Sequence, residues 1–161
     1  MTQPSTARVE AFIARHELDA EIISTPDGVP TVEAAATALG VSVDRILKTL
    51  VFAGPAGETV IAIACGTGRV DRRKLAVAVD LPKVTIASPA EVLAATGYPA
   101  GGVAPVDLPP DALIVIDELV VRQDEVFGGS GTDLHMMRIR PADIARLNNA
   151  RIALILRDPD E

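Results

Sequence analysis

The chain has 161 residues, a length suited to one ordinary domain with a real hydrophobic core. Hydrophobic residues make up 48% of it and charged residues 23%, which excludes a wholly disordered chain. Fifteen basic and twenty-two acidic residues give a net charge of −7, the opposite of what a general duplex-binding protein needs. Cys65, as a single cysteine, excludes an internal disulfide, so we expect a cytoplasmic protein. No apolar run approaches the ~20 residues of a membrane-spanning helix, and no membrane association is expected.

Helix and strand signals alternate along the first half of the chain. Ser5 is expected to cap a first helix, and residues 20–24 predict a short strand. A small alanine-rich helix is expected over residues 31–39. The apolar runs 46–53 and 59–65 predict two buried strands that form a hairpin across the turn between them.

The second half shows the same mixture of signals. Asp71 is expected to cap a helix that ends near Val79, and a brief strand is expected at residues 84–87. Ser88-Pro89-Ala90-Glu91 is typical of a capping box with proline at the first helical position. The remaining predicted elements are a glycine-rich turn at 127–133, strands at 113–117 and 134–140, and a helix at 141–149. Residues 151–157 are expected to form a last strand or an extended tail.

These elements predict an α+β fold. The hairpin within residues 46–65 excludes a purely parallel sheet, because consecutive strands joined by a short turn run antiparallel. We expect one domain over residues 1–161, with a core from about 5 to 155. Its sheet is expected to be mixed and curved, with six to seven strands flanked by helices.

Lys48 interrupts an otherwise apolar predicted strand. Strand alternation places it on one face with Ile46, Leu50 and Phe52, where burial of its ammonium is costly unless an anion or water receives it. One interpretation is a lysine whose ammonium reaches solvent at a sheet edge. The other is an ammonium in a ligand pocket, in contact with a phosphate or a carbonyl oxygen.

Two glycine-rich segments, Gly101–Pro105 (GGVAP) and Gly128–Gly131 (GGSG), could line a ligand site. Glycine lets a backbone approach a ligand closely, and its N–H groups could hold a carbonyl oxygen or a developing oxyanion. Each segment alone is more often an ordinary loop or turn. If the first is a ligand loop outside regular structure, Gly102→Val should block ligand access more than it destabilises the fold.

Other reactive residues give weaker signals. Residues 69–74 form the only basic cluster; their net charge of +3 leaves −10 on the rest of the chain. Cys65 ends a buried strand, and neither His16 nor His135 has a neighbour in sequence that would define a catalytic triad. No spacing of histidine, cysteine and carboxylate side chains is typical of a metal site, so no cofactor is expected.

Together, three segments resemble the YbaK/EbsC family, the free-standing relatives of the prolyl-tRNA synthetase editing domain. They are residues 46–52 (ILKTLVF), residues 96–105 with the TGY and GGVAP motifs, and residues 128–131 (GGSG), in the order that the family has. The resemblance covers about residues 5 to 155. It implies hydrolysis in trans of the ester that joins a wrong amino acid to the 3′ end of a tRNA.

The resemblance also implies the site residues. Lys48 matches the pocket lysine of the family, so it is predicted as the catalytic residue, in contact with the 3′-terminal nucleotide or the aminoacyl ester. The predicted substrate-binding residues are Thr49, Gly101, Gly102, Val103, Ala104, Pro105, Gly129, Ser130 and Gly131. Because classical catalytic groups are sparse, water or the substrate itself would be the nucleophile.

The chain departs from the family at Ala104, where many relatives carry serine, and at Val106-Asp107 after the loop proline. A pocket hydroxyl is therefore missing, so the amino acid removed stays open among cysteine, alanine, serine and threonine. One alternative function is a non-catalytic module that binds aminoacyl-tRNA or a synthetase partner, and a weaker one is a hydrolase that uses Cys65.

The charge fits an enzyme that holds only the terminal nucleotide of a tRNA. Lys48, with Arg69, Arg72 and Arg73 of the basic cluster, would supply the few phosphate contacts. We therefore expect weak tRNA binding with a shallow salt dependence.

Overall fold

The computed structural model describes residues 5–158, which form six α-helices, eight β-strands and a 3-10 turn at Val43–Arg45. The helices are α1 (Ala7–His16), α2 (Val32–Leu39), α3 (Arg72–Ala78), α4 (Pro89–Thr96), α5 (Glu118–Val121) and α6 (Pro141–Asn148). The strands are β1 (Glu21–Ser24), β2 (Leu47–Ala53), β3 (Thr59–Cys65), β4 (Thr85–Ile86), β5 (Leu113–Asp117), β6 (Val126–Gly129), β7 (His135–Ile139) and β8 (Arg151–Ala153). Within residues 5–158, no helix is long and apolar enough to cross a membrane.

The strands form two sheets that meet at one residue. The larger sheet has the order β4-β2-β3-β5-β8, with β2 antiparallel to β3 and β5 parallel to both β3 and β8. The smaller sheet is antiparallel and has the order β1-β7-β6. A bridge between Ile46 and Phe127 joins them. Residue 46 is therefore the point where the chain passes from one sheet to the other.

The α+β class and the mixed, antiparallel hairpin-containing sheet are confirmed, but the expected single sheet of six to seven strands is wrong. The difference arises largely at the predicted glycine-rich turn, where β6 pairs with β7 from Val126 opposite Ile139 to Gly129 opposite Met136. Glycine disfavours a strand in isolation, and here pairing with β7 outweighs that preference.

Local capping signals predict most helix starts correctly. The capping box is present, since Ser88 Oγ accepts a hydrogen bond from the Glu91 N–H and the Glu91 carboxylate accepts one from the Ser88 N–H. Asp71 caps α3 by accepting from the N–H groups of residues 73 and 74. Ser5 does not cap α1 as expected, because Thr6 occupies the N-cap position. The four-residue helix α5 was not predicted; Asp117 caps it.

The central strands are buried on both faces. One face of the hairpin contributes Leu47, Val51, Ile61 and Ile63 to a core shared with α1, α4, α6 and the smaller sheet. The other face contributes Phe52 and residues 60, 62 and 64 to a second core under α3. Burial on both faces explains why these strands are continuous apolar runs. The face that a residue occupies decides which of the two cores it joins.

Candidate functional site

A cleft of about 560 Å³ opens where the two sheets meet. Four parts of the chain line it: residues 27–32 with Ala35 of α2, residues 46–47, residues 132–136, and the glycines at 101 and 129. Valine, proline, isoleucine, leucine and methionine side chains form most of the wall, and threonine, aspartate and histidine supply polar groups at intervals. A concave, largely apolar site with a few polar groups is typical of small-ligand binding.

The two glycine-rich segments singled out in the sequence are packed against each other beside this cleft. The Gly131 N–H donates a hydrogen bond to the Gly102 carbonyl oxygen at 2.9 Å. A Cβ at Gly129 would overlap the carbonyl oxygen of Val103 and lie 3.0 Å from its carbonyl carbon. Gly131 has φ +104°, a conformation that other residues rarely adopt. These glycines are thus required by the close approach of two backbones.

The loop that carries the first segment is held at both ends. The Tyr98 hydroxyl donates to the Val106 carbonyl at 2.8 Å, and burial raises the pKa of that phenol. Arg8 of α1 stacks over the Tyr98 ring, with its guanidinium 4.0 Å from the ring centre, and pairs with Asp107 at 2.7 Å. The Asn148 amide donates to the Pro105 carbonyl at 2.7 Å. This network fixes the loop against α1 and α6, so the cleft wall is preorganised.

Not every residue of the two segments faces the cleft. Gly101 and Gly129 line it, whereas Val103, Ala104 and Pro105 are buried behind it, with Val103 and Ala104 in the main core. Gly102 is buried as well, and a Cβ there would lie 3.1 Å from the backbone of Gly131. The expectation for Gly102→Val is therefore revised, because the added side chain would disrupt packing between the segments as well as ligand access.

Two of the predicted binding residues carry buried hydroxyls without a hydrogen-bond partner among residues 5–158. They are Thr49 Oγ1, on the same face of β2 as Leu47, and Ser130 Oγ, between the cleft residues Gly129 and Thr132. An unpaired buried hydroxyl costs free energy, so such groups are often explained by a role in binding or by a bound water.

His135 is the reactive side chain that the cleft presents. Its Nδ1 lies 2.8 Å from Thr132 Oγ1, and the same hydroxyl accepts the Leu134 N–H at 3.0 Å. Both His135 and Thr132 line the cleft. With Nδ1 engaged, the ring is held in one orientation and Nε2 is the nitrogen that remains for chemistry. The sequence does not indicate this partner, because a histidine three residues after a threonine has no distinctive pattern.

Lys48 lies outside this cleft. Its neighbour Leu47 lines the cleft, and successive strand residues point to opposite faces, so the Lys48 side chain emerges on the face of Leu50 and Phe52. The ammonium donates to the Gly68 carbonyl and shares a small pocket with Arg69 and Arg72. Burial lowers the pKa of Lys48, an effect partly opposed by Cys65. The expected alternation is confirmed for residues 48, 50 and 52, but Ile46 precedes the strand and lines the cleft instead.

Cys65 is fully buried at the end of β3, opposite Leu47. Burial raises the pKa of its thiol to about 12, with a further contribution from Asp117. A thiol that stays protonated and out of solvent is a poor nucleophile.

Comparison with known proteins identifies the family. The aminoacyl-tRNA editing domain model matches residues 26–147. An Enterococcus faecalis protein named "Putative Cys-tRNA(Pro)/Cys-tRNA(Cys) deacylase EbsC" is 29% identical over 123 residues, 76% of this chain and 75% of that protein. A proline–tRNA ligase from Pelobacter propionicus is 31% identical over 121 residues, 74% of this chain but only 21% of the ligase. A crystal structure described as "a putative trans-editing enzyme for prolyl tRNA synthetase" superposes with a TM-score of 0.85 at 29% identity, covering 98% of this chain and 100% of that one.

The family model covers three quarters of the chain, and the structural likeness extends over almost all of the rest. The match includes β2, both glycine-rich segments and the His135–Thr132 pair, which are the features that build the cleft. The resemblance seen in the sequence is therefore confirmed: the chain belongs to the family of aminoacyl-tRNA editing domains.

Proposed function

We propose that this protein is a cytoplasmic trans-editing deacylase, which hydrolyses the ester between a wrongly attached small amino acid and the 3′-terminal ribose of a tRNA. The observation that carries the proposal is the cleft itself. Gly101 and Gly129, one from each glycine segment, line it together with the His135–Thr132 pair, in a chain of the editing family. Its volume of about 560 Å³ falls in the range of small-ligand sites.

The apolar wall is proposed to receive the amino-acid side chain and the terminal base. Val29, Val32 and Met136 form an uncharged part of the wall, which is proposed to receive a small, uncharged side chain. The carboxylates of Asp27 and Asp133 also line the cleft. The amino-acid specificity would then depend on the length of the side chain and on whether a buried hydroxyl, such as that of Ser130, can reach it.

In the proposed reaction His135 acts as the general base on water. If Nδ1–H donates to Thr132 Oγ1, Nε2 carries the lone pair that takes a proton from water. The water oxygen then bonds to the ester carbonyl carbon. Backbone N–H groups of the glycine segments stabilise the oxyanion, other than those of Gly102 and Gly131, which already donate to carbonyl oxygens. Collapse of this intermediate breaks the bond to the ribose oxygen, which takes the proton from His135. Cys65 is not the proposed nucleophile, since its thiol is buried and protonated.

Lys48 is proposed to hold a phosphate of the terminal nucleotide rather than the ester. Its ammonium lies across the sheet from the cleft and beside two arginines, an environment suited to an anion. We expect Lys48→Ala to raise KM more than it lowers kcat, whereas Lys83→Ala, at an exposed lysine outside both pockets, should leave both constants unchanged. A loss confined to kcat would place Lys48 at the reacting ester instead.

Deacylation of a panel of tRNAs charged with cysteine, alanine, serine or threonine tests the proposal directly. We expect one or more of these esters to be hydrolysed, and His135→Ala to lower kcat on the order of 10²- to 10⁴-fold. His16→Ala is the matched control, because His16 is exposed at the end of α1, stacked on Phe12 and outside the cleft.

The rival function is a binding module that holds aminoacyl-tRNA, or docks on a synthetase, without hydrolysis. It is favoured by Ala104, which is buried and carries no hydroxyl, and by the distance of Lys48 from the cleft face. If none of the four charged tRNAs is hydrolysed at micromolar protein but the uncharged tRNA is bound, the rival is correct and the enzyme proposal is refuted.

A further inference from the structure

Four exposed arginines form one surface beside Lys48, and the chemistry of the cleft does not use them. We name Arg69, Arg72, Arg73 and Arg157 the arginine cluster. Arg72 lines two adjoining pockets of about 350 Å³ and 290 Å³, the first with Arg73 and Arg157 and the second with Arg69 and Lys48. The cluster therefore forms a continuous basic groove rather than four separate charges.

Backbone pairing forces two of these arginines together. Val70 and Leu156 form an antiparallel bridge, and the Arg157 N–H donates to the Arg69 carbonyl at 2.8 Å. In this register Arg69 and Arg157 lie directly opposite each other. Like charges in directly opposed positions destabilise a strand pair. Of the described residues, Asp71 is the one carboxylate that lines the same pocket as Arg72, Arg73 and Arg157, so this pocket keeps a net positive charge that suits an anion.

The carboxylates near the cluster are already engaged. Asp71 accepts the N–H groups of Arg73 and Lys74 as the cap of α3, and Asp158 pairs with Lys74 at 3.0 Å. Five other arginines have a carboxylate partner: Arg8, Arg45, Arg138, Arg146 and Arg151. Within residues 5–158 no ion pair is made by any arginine of the cluster. Among the same residues, Arg15, Arg122 and Arg140 also make no ion pair, but they line neither pocket of the groove.

The groove and the cleft lie on opposite faces of the start of β2. Lys48 lines the groove, while its neighbours Ile46 and Leu47 line the cleft. The Gly66 N–H donates to the Ile46 carbonyl at 3.0 Å, which holds the connection leading to Arg69 against this edge of the cleft. An RNA whose 3′ end enters the cleft would therefore have to pass the edge of the sheet near residues 46–48 to reach the arginine cluster.

We propose that the arginine cluster binds the phosphates of the acceptor end of the tRNA, upstream of the terminal nucleotide. Guanidinium groups match phosphate oxygens in pairs, and they remain charged at every physiological pH. Because residues 69–74 carry +3 and the rest of the chain −10, long-range electrostatics favour the approach of RNA on this face. The identity of the RNA rests on the proposed function, but the anion-binding role of the groove does not.

The test is the affinity of the full chain for an uncharged acceptor-stem RNA ending in CCA, measured over a range of salt concentrations. Replacing Arg69, Arg72 and Arg157 with alanine should weaken binding on the order of tenfold or more near 0.1 M salt. The slope of log affinity against log salt should also fall by about two to three, one unit for each lost phosphate contact.

A matched triple variant removes the same charge elsewhere. Arg15, Arg122 and Arg140 are exposed and line neither pocket, so their replacement with alanine should leave both affinity and slope nearly unchanged. Equal weakening by the two triple variants would mean that net charge alone matters, and the proposal would be overturned.

Replacement of the same three cluster residues with lysine separates charge from folding. The lysine triple should retain nearly all of the salt slope, because the charge remains, and should lose part of the affinity, because an ammonium does not bind phosphate oxygens in pairs. If its salt slope falls as far as that of the alanine triple, the loss does not follow charge and the proposal is overturned. If RNA binding follows the prediction but no charged tRNA is hydrolysed, the groove assignment stands and the deacylase proposal fails.

Discussion

The contact between the two glycine segments predicts a large difference between two neighbouring substitutions in β6. Gly128→Ala and Gly129→Ala make the same chemical change in the same strand, and neither glycine has a positive φ. A Cβ at Gly128 would lie 3.2 Å from Cβ and Cδ1 of Leu47, a contact that a shift of a few tenths of an ångström relieves. A Cβ at Gly129 would overlap the Val103 carbonyl oxygen, and a backbone group cannot move without displacing the loop.

The difference between the two variants in the free energy of unfolding should therefore measure overpacking alone, because the change in strand propensity is the same in both. Inserting a methyl group into a closed contact costs about 1–3 kcal/mol, and we expect that loss for Gly129→Ala and under about 1 kcal/mol for Gly128→Ala. For a chain of this length each kcal/mol corresponds to roughly 2–4 °C in Tm. Urea and thermal unfolding measure both quantities.

Displacement of the loop that carries Val103 should also change the shape of the cleft. Because Gly101 and Gly129 both line it, separation of the segments should also raise KM for a charged tRNA in Gly129→Ala more than in Gly128→Ala. Equal stability of the two variants, or a more stable Gly129→Ala protein, would show that the segments are not in close backbone contact and would refute the reasoning.

Three further predictions concern the supports of the site. Tyr98→Phe should lower the free energy of unfolding by about 1–3 kcal/mol, because the buried Val106 carbonyl loses its donor; an unchanged urea midpoint would contradict this. The hydrogen bond from the Ser88 N–H lowers the pKa of Glu91, so its contribution to stability is present above the ordinary glutamate pKa and is lost as pH falls through the lowered value. Glu91→Gln should therefore flatten the loss of stability below about pH 4.5, measured by urea unfolding across pH. Cys65→Ala should retain turnover, and the wild-type thiol should react with a thiol reagent only on unfolding; rapid labelling of the folded protein would oppose the burial described.

Local elements were predictable wherever a side chain acts on its own backbone. The capping box at Ser88 and the cap at Asp71 depend only on residues within three positions of each other in sequence. The end of the helix expected over residues 31–39 is also correct, and Gly40 adopts a positive φ directly after it.

Long-range pairing was not predictable from the same signals. Strand β1 pairs with β7 from Glu21 opposite Arg138, more than a hundred residues away, and no local pattern names that partner. The strand character of Val126–Gly129 is likewise imposed by β7, against the preference of two glycines for a turn.

The candidate site was predictable in its parts but not in its assembly. Family motifs led to the glycine segments, and the structure places them together. Alternation put Lys48 on the correct face of β2, yet nothing in the sequence indicated which face of that strand borders the cleft. His135 was left open because its partner Thr132 is recognised by geometry and not by spacing.

The first helix has a practical consequence for where the chain can be cut or tagged. Arg8 contacts the Tyr98 ring and pairs with Asp107, at the two ends of the first glycine segment. The Ser5 carbonyl oxygen lies 2.5 Å from the position that a Cβ on Gly131 would take. The beginning of the described chain therefore packs against both glycine segments. The stretch shared with the family model begins only at residue 26 and ends at 147, before Asn148 and Arg157. A protein trimmed to that stretch would lose Arg8 and Asn148, whose contacts hold the loop at the cleft wall. Tags at the amino end should therefore be separated from residue 5 by a flexible spacer.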